Sequence, residues 1–317
     1  MLANDSTAEL RTGGLDFVRN EDVEMRSEEL FVSMTDIRVA YHFFNKSEKP
    51  ITNLVAFPMP DITIADQDTN ISIPTREPVN FLAFATEANG QPVAAEVEQK
   101  VLAKRLDRTE LLRRLNVPLA PHLAATYVAL DGLPRDKWQE LVDLGIAEIV
   151  EYAKSPSFKM EPHLEARWTL KTTYYWRQTF PAQQELVIEH RYKPSVGATA
   201  GVRVGPQIPD TRSYAETYCI EPTFIAGIGR AQRALEKIKD GYLSERRVAY
   251  ILKTGANWAG PIADFTLTVD KGKPDNLVSF CGNDIKKLSP TQFQVHYRKF
   301  TPDADLAVLF VIKNVPE

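Results

Sequence analysis

Cysteine is nearly absent from this chain: 317 residues carry two, Cys219 and Cys281. Two thiols exclude a disulfide framework or a multi-cysteine zinc site, although they allow one bond. Histidine is also sparse. His42, His122, His163, His190 and His296 show no H-x-x-x-H or H-E-x-x-H spacing that would place two imidazoles on one metal. No metal or cofactor is therefore expected. No run of about 18 apolar residues occurs, so no transmembrane segment is expected. Excess positive charge is missing too, since a net charge of −4 and a pI near 5.9 lack the basic footprint of nucleic-acid binding. The glycines at 201, 205, 227 and 229 lack the G-K-[ST] ending and the strand, glycine-turn, helix order of a nucleotide site. A G-x-S-x-G nucleophile elbow is absent as well.

What the chain has in quantity is period-two alternation, over a length that suits two domains or one with an insertion. Ile37, Val39, Tyr41 and Phe43 share one face of an extended strand, with Arg38, Ala40 and His42 on the other. Turn residues from Asn45 to Pro50 follow, and Ile51–Phe57 returns, so the stretch predicts an antiparallel hairpin. Pro58 and Pro60 cannot donate to a ladder, so there the chain leaves the sheet or lies on its edge. Upstream, Thr12-Gly13-Gly14-Leu15 turns a small opening hairpin, and Val23–Ser33 forms a further strand. The dipeptide Asn89-Gly90 predicts a hairpin joining 80–88 to 91–103. Trp168, Leu170, Tyr174 and Trp176 mark the clearest strand. It turns at Phe180–Gln183 into Leu186, Ile188, His190 and Tyr192, a second long hairpin.

The period changes between Arg105 and Tyr152, where three short helices are expected around Leu111, from His122 to Leu130 and from Pro134 to Leu144. After the Gly- and Pro-rich stretch 194–213, Phe224, Ile228, Ala231, Leu235 and Ile238 make one stripe of a helix over Glu221–Lys239. Four strands follow, and a last one, Leu306–Ile312, is apolar on both faces and should be central. The pattern predicts a β-dominated α+β protein. An antiparallel β-sandwich spans 4–193 with a helical insertion at 105–152, 194–213 is a linker or loop, and 214–317 forms a smaller C-terminal α+β unit.

Few positions suggest chemistry. A Cys219–Cys281 disulfide would close a loop of about 60 residues and stabilise by about 4 kcal/mol. Two inert buried thiols, or Cys281 as a nucleophile with His296 as its base, are the alternatives. His190 falls on an apolar face and reads as a hydrogen-bonded core histidine. Asp61, Asp66 and Asp68 lack the glycine and terminal glutamate of a calcium loop and read as a solvated acidic stretch. The loop Thr254–Ile262 holds two glycines, a proline and a tryptophan, so Asn257 and Trp258 are candidate binding residues, as are Pro58 and Pro60 at the corner. The competing role for Trp258 is a plug at the end of the sandwich. Sequons at Asn4, Asn45 and Asn70 matter only in a eukaryotic secretory route.

Met1-Leu2-Ala3-Asn4 looks like an initiator methionine joined to the tail of an A-x-A signal-peptidase site. The expected mature start is therefore near Ala3/Asn4, and the expected location periplasmic or secreted; the alternative is an ordinary cytosolic start.

The opening NDSTAELRTGGLDFVRNEDVEMRSEELFVS, the corner VAFPMPDI, TGANWAGPIADFTLTVDKG and NLVSFCG together resemble the domain of unknown function 4424 family of exported proteobacterial proteins. That resemblance covers almost the whole chain and implies export, but no catalytic residue. At the level of fold, the segments Phe43–Ser47, Phe57–Pro60, Gly90–Val93 and Phe180–Tyr192 are similar to the VIT domain of inter-alpha-trypsin inhibitor heavy chains. This second likeness implies a protein-binding β-sandwich. Two departures are the helices at 105–152 and the lack of a following von Willebrand A domain with its metal site.

The sequence as a whole predicts an exported cell-envelope binding or protein-interaction module without catalytic chemistry. Its partner would be an unidentified envelope protein or small ligand. The alternatives are an envelope hydrolase or transferase using Cys281 or a carboxylate pair, and a carrier of a small apolar ligand.

Overall fold

The computed structural model describes residues 4–11, 14–64, 70–153, 159–206 and 212–316. The elements begin with β1 (Ser6–Arg11), β2 (Gly14–Phe17), β3 (Val23–Ser33), β4 (Ile37–Asn45), β5 (Ile51–Pro58), β6 (Ile62–Thr63) and β7 (Asn70–Ser72). They continue with β8 (Ala85–Ala88), β9 (Gln91–Val93), β10 (Glu96–Ala103), β11 (Leu106–Asp107), α1 (Thr109–Arg114), α2 (Ala124–Asp131) and α3 (Arg135–Asp143). Next are β12 (Ala147–Ala153), β13 (Met160–Ala166), β14 (Thr169–Phe180), β15 (Glu185–Tyr192), β16 (Val196–Ala200), α4 (Arg212–Tyr218) and α5 (Pro222–Leu235). The chain closes with β17 (Tyr242–Tyr250), β18 (Ile262–Asp270), β19 (Leu277–Phe280), β20 (Lys286–Lys287), β21 (Gln292–Phe300) and β22 (Leu306–Asn314).

Alternation decides which face of each strand is buried. Ile37, Val39, Tyr41 and Phe43 of β4 are all sealed from solvent, as are Leu170, Tyr174 and Trp176 of β14. Among the described residues three large sheets result, beside a two-stranded ribbon. One runs β11-β10-β14-β5-β1-β2, with β6 also on β14; a second runs β20-β21-β18-β3-β4-β15-β8-β9; a third runs β19-β22-β17-β16-β7. The protein is a β-dominated α+β fold, with β-sandwich packing of the first two sheets around a shared core.

Both long hairpins expected from the sequence are instead arches between sheets. β4 bonds to β3 and β15, whereas β5 bonds to β1 and β14; β14 and β15 likewise lie in different sheets. A period of two reports a buried face but not the partner strand. In a sandwich the two limbs of an arch bury faces toward each other and give the same pattern. Buried Asn45 fastens the two arches side by side. Its Nδ2 donates to the carbonyls of Lys49 (2.8 Å) and Phe180 (3.0 Å), and its Oδ1 accepts from the Ser47 amide (2.9 Å). The Asn89-Gly90 turn is a true hairpin, with Thr86 opposite Val93, but its returning limb ends at Val93 and β10 passes to the other sheet.

The inserted segment carries the three expected helices and a core of its own that includes Leu112, Trp138, Leu141 and Trp168. It extends past the expected limit at 152 through a ribbon formed by β12 and β13. The division expected at 194–213 is not a division of the sheets. β18 pairs in parallel with β3, placing a late strand in the middle of the second sheet, and β7 pairs with β16 in the third. The expected linker contains β16. β22 lies between β19 and β17, the interior place its two apolar faces require. Helix α5 starts on Pro222 and packs on the third sheet, where a Cβ at Gly227 would stand 3.3 Å from Leu277. That close approach explains the glycine.

Candidate functional site

β18 and β21 pair with Phe265 opposite Tyr297. Lys299, at φ 53°, breaks the alternation of β21, so Phe300 reaches the same face as Tyr297. The three rings form a ladder. Phe265 and Phe300 are 4.7 Å apart between centroids, Tyr297 and Phe300 5.1 Å, and Phe265 and Tyr297 stack at 6.2 Å. Phe265 is buried at the base, whereas Tyr297 and Phe300 are half-exposed.

These rings line a 530 Å³ cleft floored by Leu252, Leu267, Val295 and Leu306. The opposite rim is the Cys219–Cys281 disulfide, which ties the end of α4 to the end of β19. Gly282 beside it leaves room for the floor, since a Cβ there would come within 2.8 Å of Val295. The rim is polar: the Tyr297 hydroxyl accepts from the Asn283 amide at 2.7 Å and keeps its own proton to donate. Asp305, also on the rim, accepts from the amides of Leu252 and Lys253 at 3.1 and 3.2 Å. An apolar floor, half-exposed rings and a few placed polar groups form the usual chemistry of a small-molecule cleft. A larger hollow of 640 Å³ lies on the outer face of the second sheet. Of its charged lining, Arg38 and Arg191 pair with Asp36 at 3.2 and 3.0 Å, and the hollow reads as a solvated sheet face.

A second constellation lies sealed in the core. His190 Nε2 stands 2.9 Å from Asp5 Oδ1, both residues fully enclosed, inside a ring of Tyr41, Phe57, Phe84 and Trp176. Burial raises the Asp5 carboxyl, while His190 acts in the opposite direction. Glu28, also enclosed, is pushed up to about 8 by burial, with the charge of Asp5 adding to the rise and the Asn4 hydrogen bond opposing it. The hydroxyls of Tyr41 and Tyr250 bond each other at 2.9 Å. Buried between the sheets, this cluster ties strands together.

The sequence candidates divide between these places. Cys219 and Cys281 are bonded, with Cα atoms 4.9 Å apart, which leaves no thiol nucleophile. His296 pairs with Asp264 at 2.9 Å instead. Trp258 requires a correction, because a presented anchor needs an exposed ring. It is fully buried against Phe43 (4.5 Å) and Phe180 (5.7 Å), and its indole N–H donates to the Asp5 carbonyl at 2.6 Å. It plugs the sandwich. Asn257 donates to Ser6 Oγ at 2.8 Å; Pro58 is buried opposite Thr173, and Pro60 is half-buried. None of these four borders the cleft. Asp61 pairs with Lys171 at 2.9 Å, whereas Asp66 and Asp68 lie outside the described residues. Asn4 and Asn45 are sealed, so neither sequon is open to a glycan. The aromatic ladder was missed by the sequence reading. Its local sign is Phe293, Tyr297 and Phe300 crowded on one late strand, but Phe265 joins them only through pairing.

Among solved structures, a candidate nutrient-binding protein of Legionella pneumophila is 15% identical, covering 98% of this chain and 70% of that one at a TM-score of 0.46. An M1 zinc metallopeptidase from Deinococcus radiodurans is 6% identical, covering 93% of this chain and 43% of that one at a TM-score of 0.28. Such scores carry no argument about activity. Comparison with curated proteins gives no match. A family model does match, over residues 3–309, and the chain accordingly belongs to the family described as domain of unknown function DUF4424.

Proposed function

We propose that the chain is an exported cell-envelope binding module, without catalytic chemistry of its own, that takes a small apolar or aromatic ligand in the cleft of Phe265, Tyr297 and Phe300. The observation that carries this reading is the preformed ladder of half-exposed rings over an apolar floor, with the free Tyr297 proton available to orient a polar end of the ligand. Export is supported by the oxidised cysteine pair, a state that persists in the envelope or outside the cell. No helix among the described residues is long and apolar enough to cross a membrane. The hydrolase reading loses its cysteine form to the same disulfide.

Native mass spectrometry of protein from its own envelope fraction tests the reading in cells, and extra mass that leaves on denaturation is expected. In solution, anilinonaphthalene sulfonate should bind saturably at one site, and Phe300→Ala should weaken it roughly tenfold or more through loss of the stacking ring. Equal binding by the wild type and this variant would refute the cleft.

A further inference from the structure

The first described residues are sealed in the interior: Asn4, Asp5 and Ser6 have no exposed surface. Here Asn4 is wedged between β3 and the turn at Lys253–Asn257. Its backbone nitrogen donates to Thr254 Oγ1, and its Nδ2 donates to Glu28 Oε2 at 2.7 Å. A Cβ at Gly255 would lie 2.6 Å from that same Nδ2, so only glycine leaves Asn4 its place.

Charge in this chamber does not balance. Glu28 receives one hydrogen bond, from a neutral amide, and its Oε1 has no partner among the described residues. Asp5 spends Oδ1 on His190, and its Oδ2 is also unpartnered. The other ionisable groups at Glu28 are the hydroxyls of Tyr41 and Tyr250, which bond each other and bring no positive charge. Two buried carboxylates thus share one imidazole. An unpaired carboxylate in such a place is strongly unfavourable, and it either takes up a proton or finds a cation.

We propose that cleavage between Ala3 and Asn4 supplies the cation: the freed α-ammonium of Asn4 stays in the chamber as the charge partner of Glu28. The proposal rests on the export reading. Before folding seals Asn4, an envelope endopeptidase selective for small residues adds water across the Ala3–Asn4 peptide bond. The water oxygen ends on the Ala3 carboxylate, and its protons leave the Asn4 nitrogen as an ammonium. The uncut amide has one proton, already given to Thr254. The ammonium has three, so it keeps that bond and gains donors for a carboxylate that its own side chain already touches. Processing then completes the core, and the native state favours the chain that has been cut.

The test begins with the intact mass of protein recovered from the envelope, which should correspond to a start at Asn4. Any other start overturns the proposal while leaving export intact, whereas absence of the protein from the envelope fraction overturns the export reading and the proposal with it. Glu28→Gln is then compared in two forms, one starting at Met1 and one at Asn4. In the Asn4 form the substitution should lower the melting temperature at neutral pH by roughly 6 °C or more, as expected for a broken buried pair. In the Met1 form it should have little effect or stabilise. Equal losses in both forms overturn the ion pair while leaving export intact. Should the variant not fold, the wild type still decides: in the folded protein the Asn4 amine should react with an acylating reagent at least about tenfold more slowly than in denaturant. Labelling at the unfolded rate refutes the proposal.

Discussion

Breaking the Cys219–Cys281 bond, by reduction or by the double variant Cys219→Ser/Cys281→Ser, should both loosen the protein and damage the cleft. The bonded residues are 62 apart in sequence. Releasing a loop of that size restores unfolded-state entropy equivalent to about 4 kcal/mol at room temperature. A chain of this length unfolds with an entropy of roughly 0.7 kcal/mol per degree, so the melting temperature should fall by about 6 °C. Thermal melts with and without reductant provide the assay, and the double variant should be insensitive to reductant. A fall of under about 2 °C would refute the reasoning, because the loop would then be restrained equally well without the bond. The cleft gives a separate readout. The bond forms one rim and ties α4 to β19, so reduction should also weaken anilinonaphthalene sulfonate. A lower melting temperature with unchanged probe affinity would show that the strap stabilises the fold without shaping the cleft.

Trp258→Ala should cost about 3–5 kcal/mol in denaturant unfolding, the range for a deleted core aromatic, because it also leaves the Asp5 carbonyl without its donor. A variant as stable as the wild type would remove Trp258 from the core. Asn45→Ala should cost about 1–3 kcal/mol by orphaning the carbonyls of Lys49 and Phe180 where the two arches meet, as chemical denaturation would show. In the form starting at Met1, Glu28 has a raised folded pKa, so its contribution is complete below pH 4.5 and is lost as pH rises through about 8. Melts over that window should show stability falling with pH in this form, and Glu28→Gln should flatten the curve. Burial lowers the pKa of His122, which packs on Phe81, so its contribution is present above the usual imidazole range and fades on acidification. His122→Phe should reduce the acid-side loss, and an unchanged acid limb would assign that loss to other groups.

Local periodicity alone determined which face of nearly every strand is buried, because side chains alternate with a fixed step whatever the partner. Ile37–Phe43, Trp168–Trp176 and Leu306–Ile312 were legible in this way, as were the helical insertion and the Asn89-Gly90 turn. Composition left room for a single disulfide and excluded a multi-cysteine metal site, and His190 was recognisable as a core histidine from its strand face. The tertiary structure decided the partners. Whether Ile37–Asn45 folds back on Ile51–Pro58 or arches to the opposite sheet depends on strands far away, and both give one alternating pattern. The parallel insertion of Ile262–Asp270 beside Val23–Ser33 has no local sign, since the pairing joins segments more than two hundred residues apart in sequence. Separations of 185 and 250 residues hid Asp5 from His190 and Asn4 from Thr254. Tertiary packing also decided between the two roles the sequence left open for Trp258, a presented anchor or the plug of the sandwich, in favour of the plug. The aromatic cleft arises where a backbone kink at Lys299, a cross-strand neighbour at Phe265 and a disulfide strap converge, and no window of sequence holds all three.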